Sequence, residues 1–79
     1  MKLTKTYNTL LNMIEDFEEY IGELEDKRDA IEDNAIDHDR DMTDREQERY
    51  DAIDEKIEDT RMIIDSLEEA ISYMDGFNS

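Results

Sequence analysis

The chain has 79 residues, of which 25 are acidic and nine basic, and its formal net charge is −16. It contains no cysteine, no proline and a single histidine, which excludes disulfides and thiolate metal sites and leaves most zinc sites short of ligands. Direct binding to nucleic acid or to an anionic membrane surface is disfavoured, because both would repel a chain of this charge.

The first predicted element is a helix over about residues 4–34. Its apolar residues recur in alternating steps of four and three, which is the heptad pattern of a coiled-coil helix. Arg28 continues this series and interrupts its apolar character. Its guanidinium could lie over the ring of Tyr50, but a surface arginine with its stem along the helix is the favoured interpretation. The other members of the series are Leu3, Tyr7, Leu10, Ile14, Phe17, Ile21, Leu24 and Ile31.

The segment after this helix loses the apolar period, so we predict a loop over about residues 35–43. Thr43 and Glu46 at its end form a capping box, in which each side chain accepts a hydrogen bond from the other's backbone N–H. The second helix is therefore expected to begin at about residue 44.

The same loop resembles the calcium-binding loop of the EF-hand family in the spacing of its oxygen ligands. The sequence departs from that family at Met42, which stands where the sharp turn needs glycine. We therefore predict no metal site and no cofactor, and keep weak calcium binding as a third hypothesis. The positions that match the EF-hand spacing are Asp37, Asp39, Asp41, Thr43 and Glu48.

A second heptad series predicts a helix over about residues 44–75, and Gly76 is expected to form its left-handed C-cap. Two helices of similar length joined by a short loop pack antiparallel, so we expect an all-α, two-helix coiled-coil hairpin. One register is consistent with the apolar pattern, and a slip of one heptad gives another. In the first register the facing pairs are Leu10 with Ile71, Ile14 with Leu67, Phe17 with Ile64, and Leu24 with Ile57.

Several apolar residues flank the core series toward the open end of the hairpin, away from the loop. A two-helix hairpin cannot bury so wide an apolar surface alone, so we predict a homodimer in which two hairpins form a four-helix bundle. The alternative is a monomer that covers these residues with lysine and glutamate stems. The predicted self-association residues are Leu11, Met13, Tyr20, Ile63, Ala70 and Phe77.

The length fits one domain, residues 1–79, and no apolar run resembles a signal peptide or a membrane span, so we expect a cytoplasmic protein with no membrane partner. The chain offers no phosphate-binding glycine loop and no nucleophile–base pair, and a narrow hairpin offers no cleft. We therefore expect no enzymatic activity and no catalytic residue.

The density of negative charge along the hairpin is the strongest functional signal. It approaches that of DNA to within a factor of about two, so a basic groove that holds phosphates would attract it. The acids predicted to bind a partner lie near the loop. They are Glu25, Asp26, Asp29, Glu32, Asp33, Asp37, Asp39, Asp41, Asp51, Asp54, Glu55, Glu58 and Asp59.

In size, acidity, helicity and lack of cysteine, the chain resembles the small acidic phage inhibitors, namely the DNA mimics and anti-CRISPR proteins. The resemblance covers the character of the whole chain and involves no shared motif. It implies an inhibitor, acting in a bacterial host cell, of a basic nucleic-acid-binding protein such as a nuclease or CRISPR effector. The alternative is a structural or adaptor homo-oligomeric coiled coil with no target related to nucleic acid.

Overall fold

The computed structural model describes residues 2–78 and the side chains of residues 4–76. Two helices, α1 (Lys2–Asp37) and α2 (Asp44–Asn78), are joined by a six-residue linker, residues 38–43. They pack against each other as a hairpin whose Cα atoms span 57 × 15 × 14 Å. The described residues contain no strand. The prediction of an all-helical hairpin is confirmed.

The core is a single row of side chains between the two helices. Its members come from the predicted heptad series, and each is at most 9 % exposed. Full burial of an aliphatic side chain of this size contributes about 1.5–3 kcal/mol, so this row supplies most of the hairpin's stability. The buried cluster consists of Ile14, Ile21, Leu24, Ile57, Ile64 and Ile71.

The cross-helix contacts select one of the two registers that the sequence leaves open. The Arg28 guanidinium donates a 2.6 Å hydrogen bond to Asp54 Oδ1. This contact belongs to the register that pairs Leu24 with Ile57. A slip of one heptad would displace α2 by about 10 Å along the axis and break it.

Helix α1 continues to Asp37, about one turn beyond its predicted end. The reason is Ala35, which is 4 % exposed and continues the core row where the two helices converge on the linker. A methyl group is small enough for this position, although it gives little apolar signal in the sequence.

Helix α1 ends in a Schellman motif. The backbone N–H of Arg40 donates to the Ala35 carbonyl at 3.1 Å, and that of Asp39 donates to the Ile36 carbonyl at 2.9 Å. Asp39 occupies the left-handed position with φ of 51°, where glycine is the usual residue. The absence of glycine here explains why the sequence did not mark this helix end.

The predicted C-cap at Gly76 is wrong. Helix α2 runs through this residue to Asn78, and no described glycine has a positive φ. A helical glycine costs only about 1 kcal/mol relative to alanine. That cost is small enough for the helix to continue and keep its backbone hydrogen bonds.

Candidate functional site

The linker is organised around the Glu46 carboxylate. The backbone N–H of Thr43 donates to Glu46 Oε1 at 3.0 Å, and the backbone N–H of Glu46 donates to Thr43 Oγ1 at 3.1 Å, which confirms the predicted capping box. The Arg40 guanidinium and the Asn34 amide also donate to this carboxylate, at 2.7 and 3.1 Å. The Arg40 bond, followed by the Thr43 and Asn34 bonds, lowers the pKa of Glu46 to about 2.

The linker does not form an EF-hand loop. Helix α2 begins at Asp44, directly after Thr43, and the Thr43 carbonyl, which stands at the position that supplies a backbone ligand in an EF-hand, accepts a hydrogen bond from the Gln47 N–H at 2.8 Å. Within residues 2–78, no group of three histidine, aspartate or glutamate side chains is placed to hold a metal ion. The described geometry therefore gives no support to calcium binding at Asp37, Asp39, Asp41, Thr43 and Glu48.

Arg28 makes two contacts with α2, and the favoured interpretation of a surface arginine is wrong. Its guanidinium carbon lies 5.8 Å from the centroid of the Tyr50 ring, and its Nη1 pairs with Asp54 at 2.6 Å. The hydrogen bond to Asp54 is the largest influence that raises the pKa of Arg28. The side chain is 27 % exposed, because the ring and the carboxylate cover most of it. Arg28 thus ties the two helices together at a core position.

The thirteen acids predicted to bind a partner are all exposed or half-exposed. Two of them are engaged in ion pairs between the helices, Glu25 with Arg61 at 3.3 Å and Asp54 with Arg28. A third, Asp29, lies 3.9 Å from the Nε of Arg28. These three acids contribute to the hairpin itself, so the other ten are the better candidates for contact with a partner.

Each helix carries one row of residues on either side of the core row, so the hairpin has two distinct sides. One, here the e side, consists of residues 11, 18, 25 and 32 of α1 with residues 54, 61, 68 and 75 of α2. The other, here the g side, consists of residues 6, 13, 20, 27 and 34 with residues 49, 56, 63 and 70. In an antiparallel pair, like rows face each other. The ion pair between Glu25 and Arg61 spans the e side as this geometry requires.

The acids are distributed unevenly between the two sides. The e side carries six, whereas none of the 25 acids of the chain lies on the g side. The g side instead carries apolar residues toward the open end and cations toward the linker. The six acids of the e side are Glu18, Glu25, Glu32, Asp54, Glu68 and Asp75.

The predicted self-association residues do not share one side. Met13, Tyr20 and Ile63 are 39, 41 and 45 % exposed and lie on the g side with the exposed Ala70. Leu11, 42 % exposed, lies on the e side. The Phe77 side chain is outside the described residues. The sequence prediction grouped both flanks of the core together, although the position of each residue relative to the core series already separates them.

Four cations lie on the g side or at its margin, in the half of the hairpin nearer the linker. Lys27, Arg49 and Lys56 lie on the g side itself, and Arg45 lies one row further out. Among the described residues, ion pairs within the chain involve Arg28, Arg40 and Arg61, none of which belongs to this group. The g side is therefore apolar along its open half and cationic along its other half.

No described helix has the length and apolar character needed to cross a membrane. No protein-family model, curated protein or solved structure matches the chain.

Proposed function

We propose that the hairpin is an acidic protein-binding inhibitor that occupies the basic nucleic-acid-binding surface of a nuclease, CRISPR effector or other DNA-binding protein in the cytoplasm. The observation that carries this proposal is the density of charge along a narrow rod. Sixteen net negative charges over 57 Å amount to one per roughly 3.6 Å. One strand of duplex DNA carries one per about 3.4 Å.

The positions of the acids support this proposal. Ten of the thirteen acids near the linker are outside the ion pairs that hold the hairpin together, and all are accessible. Because the two helices are already packed before binding, these carboxylates would not have to be ordered on contact with the target. Opposite charge on the target would accelerate association, and salt would slow it.

We also propose that two copies pair through their open halves to form a four-helix bundle. Three large apolar side chains on the g side, Met13, Tyr20 and Ile63, are between 39 and 45 % exposed. A chain of this size has a small core and gains stability by burying such residues against a second copy. The same observation favours the second candidate function, a structural or adaptor homo-oligomeric coiled coil.

A pull-down from lysate at low salt, followed by displacement with duplex DNA, tests the inhibitor. We expect the captured proteins to bind nucleic acid and to be released by the duplex. The double variant Glu32→Lys and Glu58→Lys changes two exposed acids near the linker that make no ion pair among the described residues. It should abolish capture. Asp54 is unsuitable for this test because it pairs with Arg28.

The matched control is Glu15→Lys with Glu69→Lys, which makes the same change of charge in the open half. It should retain most of the capture, and circular dichroism should show both double variants folded. Capture that survives reversal at Glu32 and Glu58, or that duplex DNA does not displace, would exclude DNA mimicry. The adaptor function would then be the better explanation.

A further inference from the structure

We propose that a second copy of this chain binds the g side with the open ends of the two rods together, so that α1 of each copy lies on α2 of the other. This inference rests on the proposed pairing of two copies and specifies its face and its orientation. The g side is the one flank of the hairpin without an acid, and its open half carries no cation either, so two copies can approach along that half without the repulsion expected elsewhere.

A twofold axis can bring two g sides face to face in two ways. If the axis runs along the rods, the open ends coincide and α1 lies on the partner's α2. If the axis runs across the rods, the open ends point in opposite directions and α1 lies on the partner's α1. The sizes and charges of the residues on this face distinguish the two arrangements.

The sizes of the apolar side chains favour the arrangement with the open ends together. In the register of the hairpin, Met13 lies level with Ala70, and Tyr20 lies level with Ile63. With the open ends together, each larger residue of α1 meets a smaller residue of the partner's α2. If the opposite arrangement is centred on these four residues, Met13 of one copy meets Tyr20 of the other between the two α1 helices. Ala70 then meets Ile63 between the two α2 helices. That pairing would separate the helices unequally, whereas large-against-small packing fills the space evenly.

The charges of the next layer also differ between the two arrangements. Lys27 and Lys56 form this layer of the g side, and Glu23 and Asp59 lie one row further out, about one helical turn toward the open end. With the open ends together, Lys27 of each copy lies level with Lys56 of the other, and Glu23 and Asp59 of both copies lie beside these four lysines. The opposite arrangement carries Lys27 over residues 4–12 of the partner's α1, which contain no acid, and Lys56 over the open end of the partner's α2. Lys27 therefore has acids of both copies near it only with the open ends together.

The arrangement determines where the acids of the dimer face. Because the two g sides meet in the middle, the two e sides lie on opposite outer surfaces. Each dimer would therefore offer two separate acidic surfaces to its targets. A complex of two target molecules with one dimer is the expected stoichiometry.

Electron–electron distance measurement on the variant Asp41→Cys tests the orientation, because the chain has no other cysteine to label. Asp41 is an exposed linker residue. With the open ends together, the two labels should lie within about 30 Å, since packed helix axes are about 10 Å apart. The opposite arrangement places them 57 Å or more apart, the length of the rod.

Sedimentation equilibrium on two pairs of variants tests the face. Ile63→Lys should give a monomer, whereas Met62→Lys, the same change at the adjacent and more exposed residue on the outer surface, should leave the dimer intact. The double variant Lys27→Glu with Lys56→Glu should raise the dimer dissociation constant about fivefold to tenfold or more, because it replaces the four lysines of this layer with acids beside the four acids already there. The control Lys5→Glu should change it by less than about twofold.

Each result has a separate meaning. A dimer with the long distance would overturn the orientation and leave the pairing of copies intact. A dimer that Ile63→Lys does not weaken would overturn the face. A wild-type monomer at high concentration and moderate salt would overturn both the pairing and this inference, while the capture of a basic target by the acids would still be decided by the pull-down.

Discussion

At the scale of single residues, Asp39 carries a backbone conformation that its side chain disfavours. It is the one non-glycine residue with positive φ among those described, and it allows the Schellman motif to close α1. A β-carbon in this conformation costs about 1–2 kcal/mol, less for aspartate than for most residues. We expect Asp39→Gly to stabilise the hairpin by about 1 kcal/mol, measured as a higher Tm by thermal unfolding.

Asp41→Gly is the matched control for this prediction. It removes the same charge from the same linker, but Asp41 does not have a positive φ. Glycine there only increases the freedom of the unfolded chain, so its Tm should be unchanged or lower. Equal stabilisation by both variants would mean that the gain comes from the lost charge and that the conformation of Asp39 carries no strain.

At the scale of the helices, the N-terminus of α2 depends on a single ionised carboxylate. Glu46 accepts hydrogen bonds from Arg40, from the Thr43 backbone and from Asn34, and its pKa is about 2 instead of 4.5. A depressed pKa in the folded state means that its contribution is complete above about pH 4.5 and is lost as the pH falls toward about 2. Glu46→Gln should therefore lower the Tm near neutral pH, and the difference from the wild type should shrink over that acid range.

Thermal unfolding at a series of pH values between about 6 and 2 checks this prediction. Glu48→Gln, two residues along α2 at an exposed position, serves as the control and should have a much smaller effect. A constant difference in Tm between Glu46→Gln and the wild type across the whole pH range would show that the stabilisation of the cap does not depend on the charge of the carboxylate.

The helices themselves follow from the sequence because their signals are local and repeated. The heptad series predicts the core row, and the capping box predicts the start of α2 at Asp44. The end of α1 and the role of Arg28 depend on the facing helix, which no local pattern contains. Arg28 lies over Tyr50 and pairs with Asp54 only because the register brings these residues opposite it.

The candidate surfaces could be predicted only in part for a related reason. Exposure of the acids follows from composition, since a small core cannot bury so many charges. Which flank each residue occupies requires the core row as a reference. With that reference, Leu11 falls on the e side and separates from Met13 and Tyr20, and the absence of acids from the g side becomes visible. The proposed orientation of a second copy rests on that arrangement.

At the scale of the whole molecule, folding brings acids of both helices close together along one rod. The net charge of −16 opposes this compact state by self-repulsion. The Debye length falls from above 20 Å to about 4 Å between about 20 mM and 0.5 M salt, so the repulsion is screened over that range. We therefore expect the Tm of the hairpin, measured by circular dichroism, to rise by several degrees when the salt concentration is raised from about 20 mM to about 0.5 M.

The same salt should weaken capture of a basic target, because that interaction depends on attraction between opposite charges. The two expected effects have opposite signs in one protein. If the Tm rises with salt as expected, loss of capture near 0.5 M salt does not result from unfolding of the hairpin. Ile63→Lys extends the comparison, since a variant that is monomeric, as we propose for this one, would show the effect of salt on the hairpin alone. A Tm that falls with salt in that variant would mean that ion pairs such as Arg28–Asp54 outweigh the repulsion among the acids.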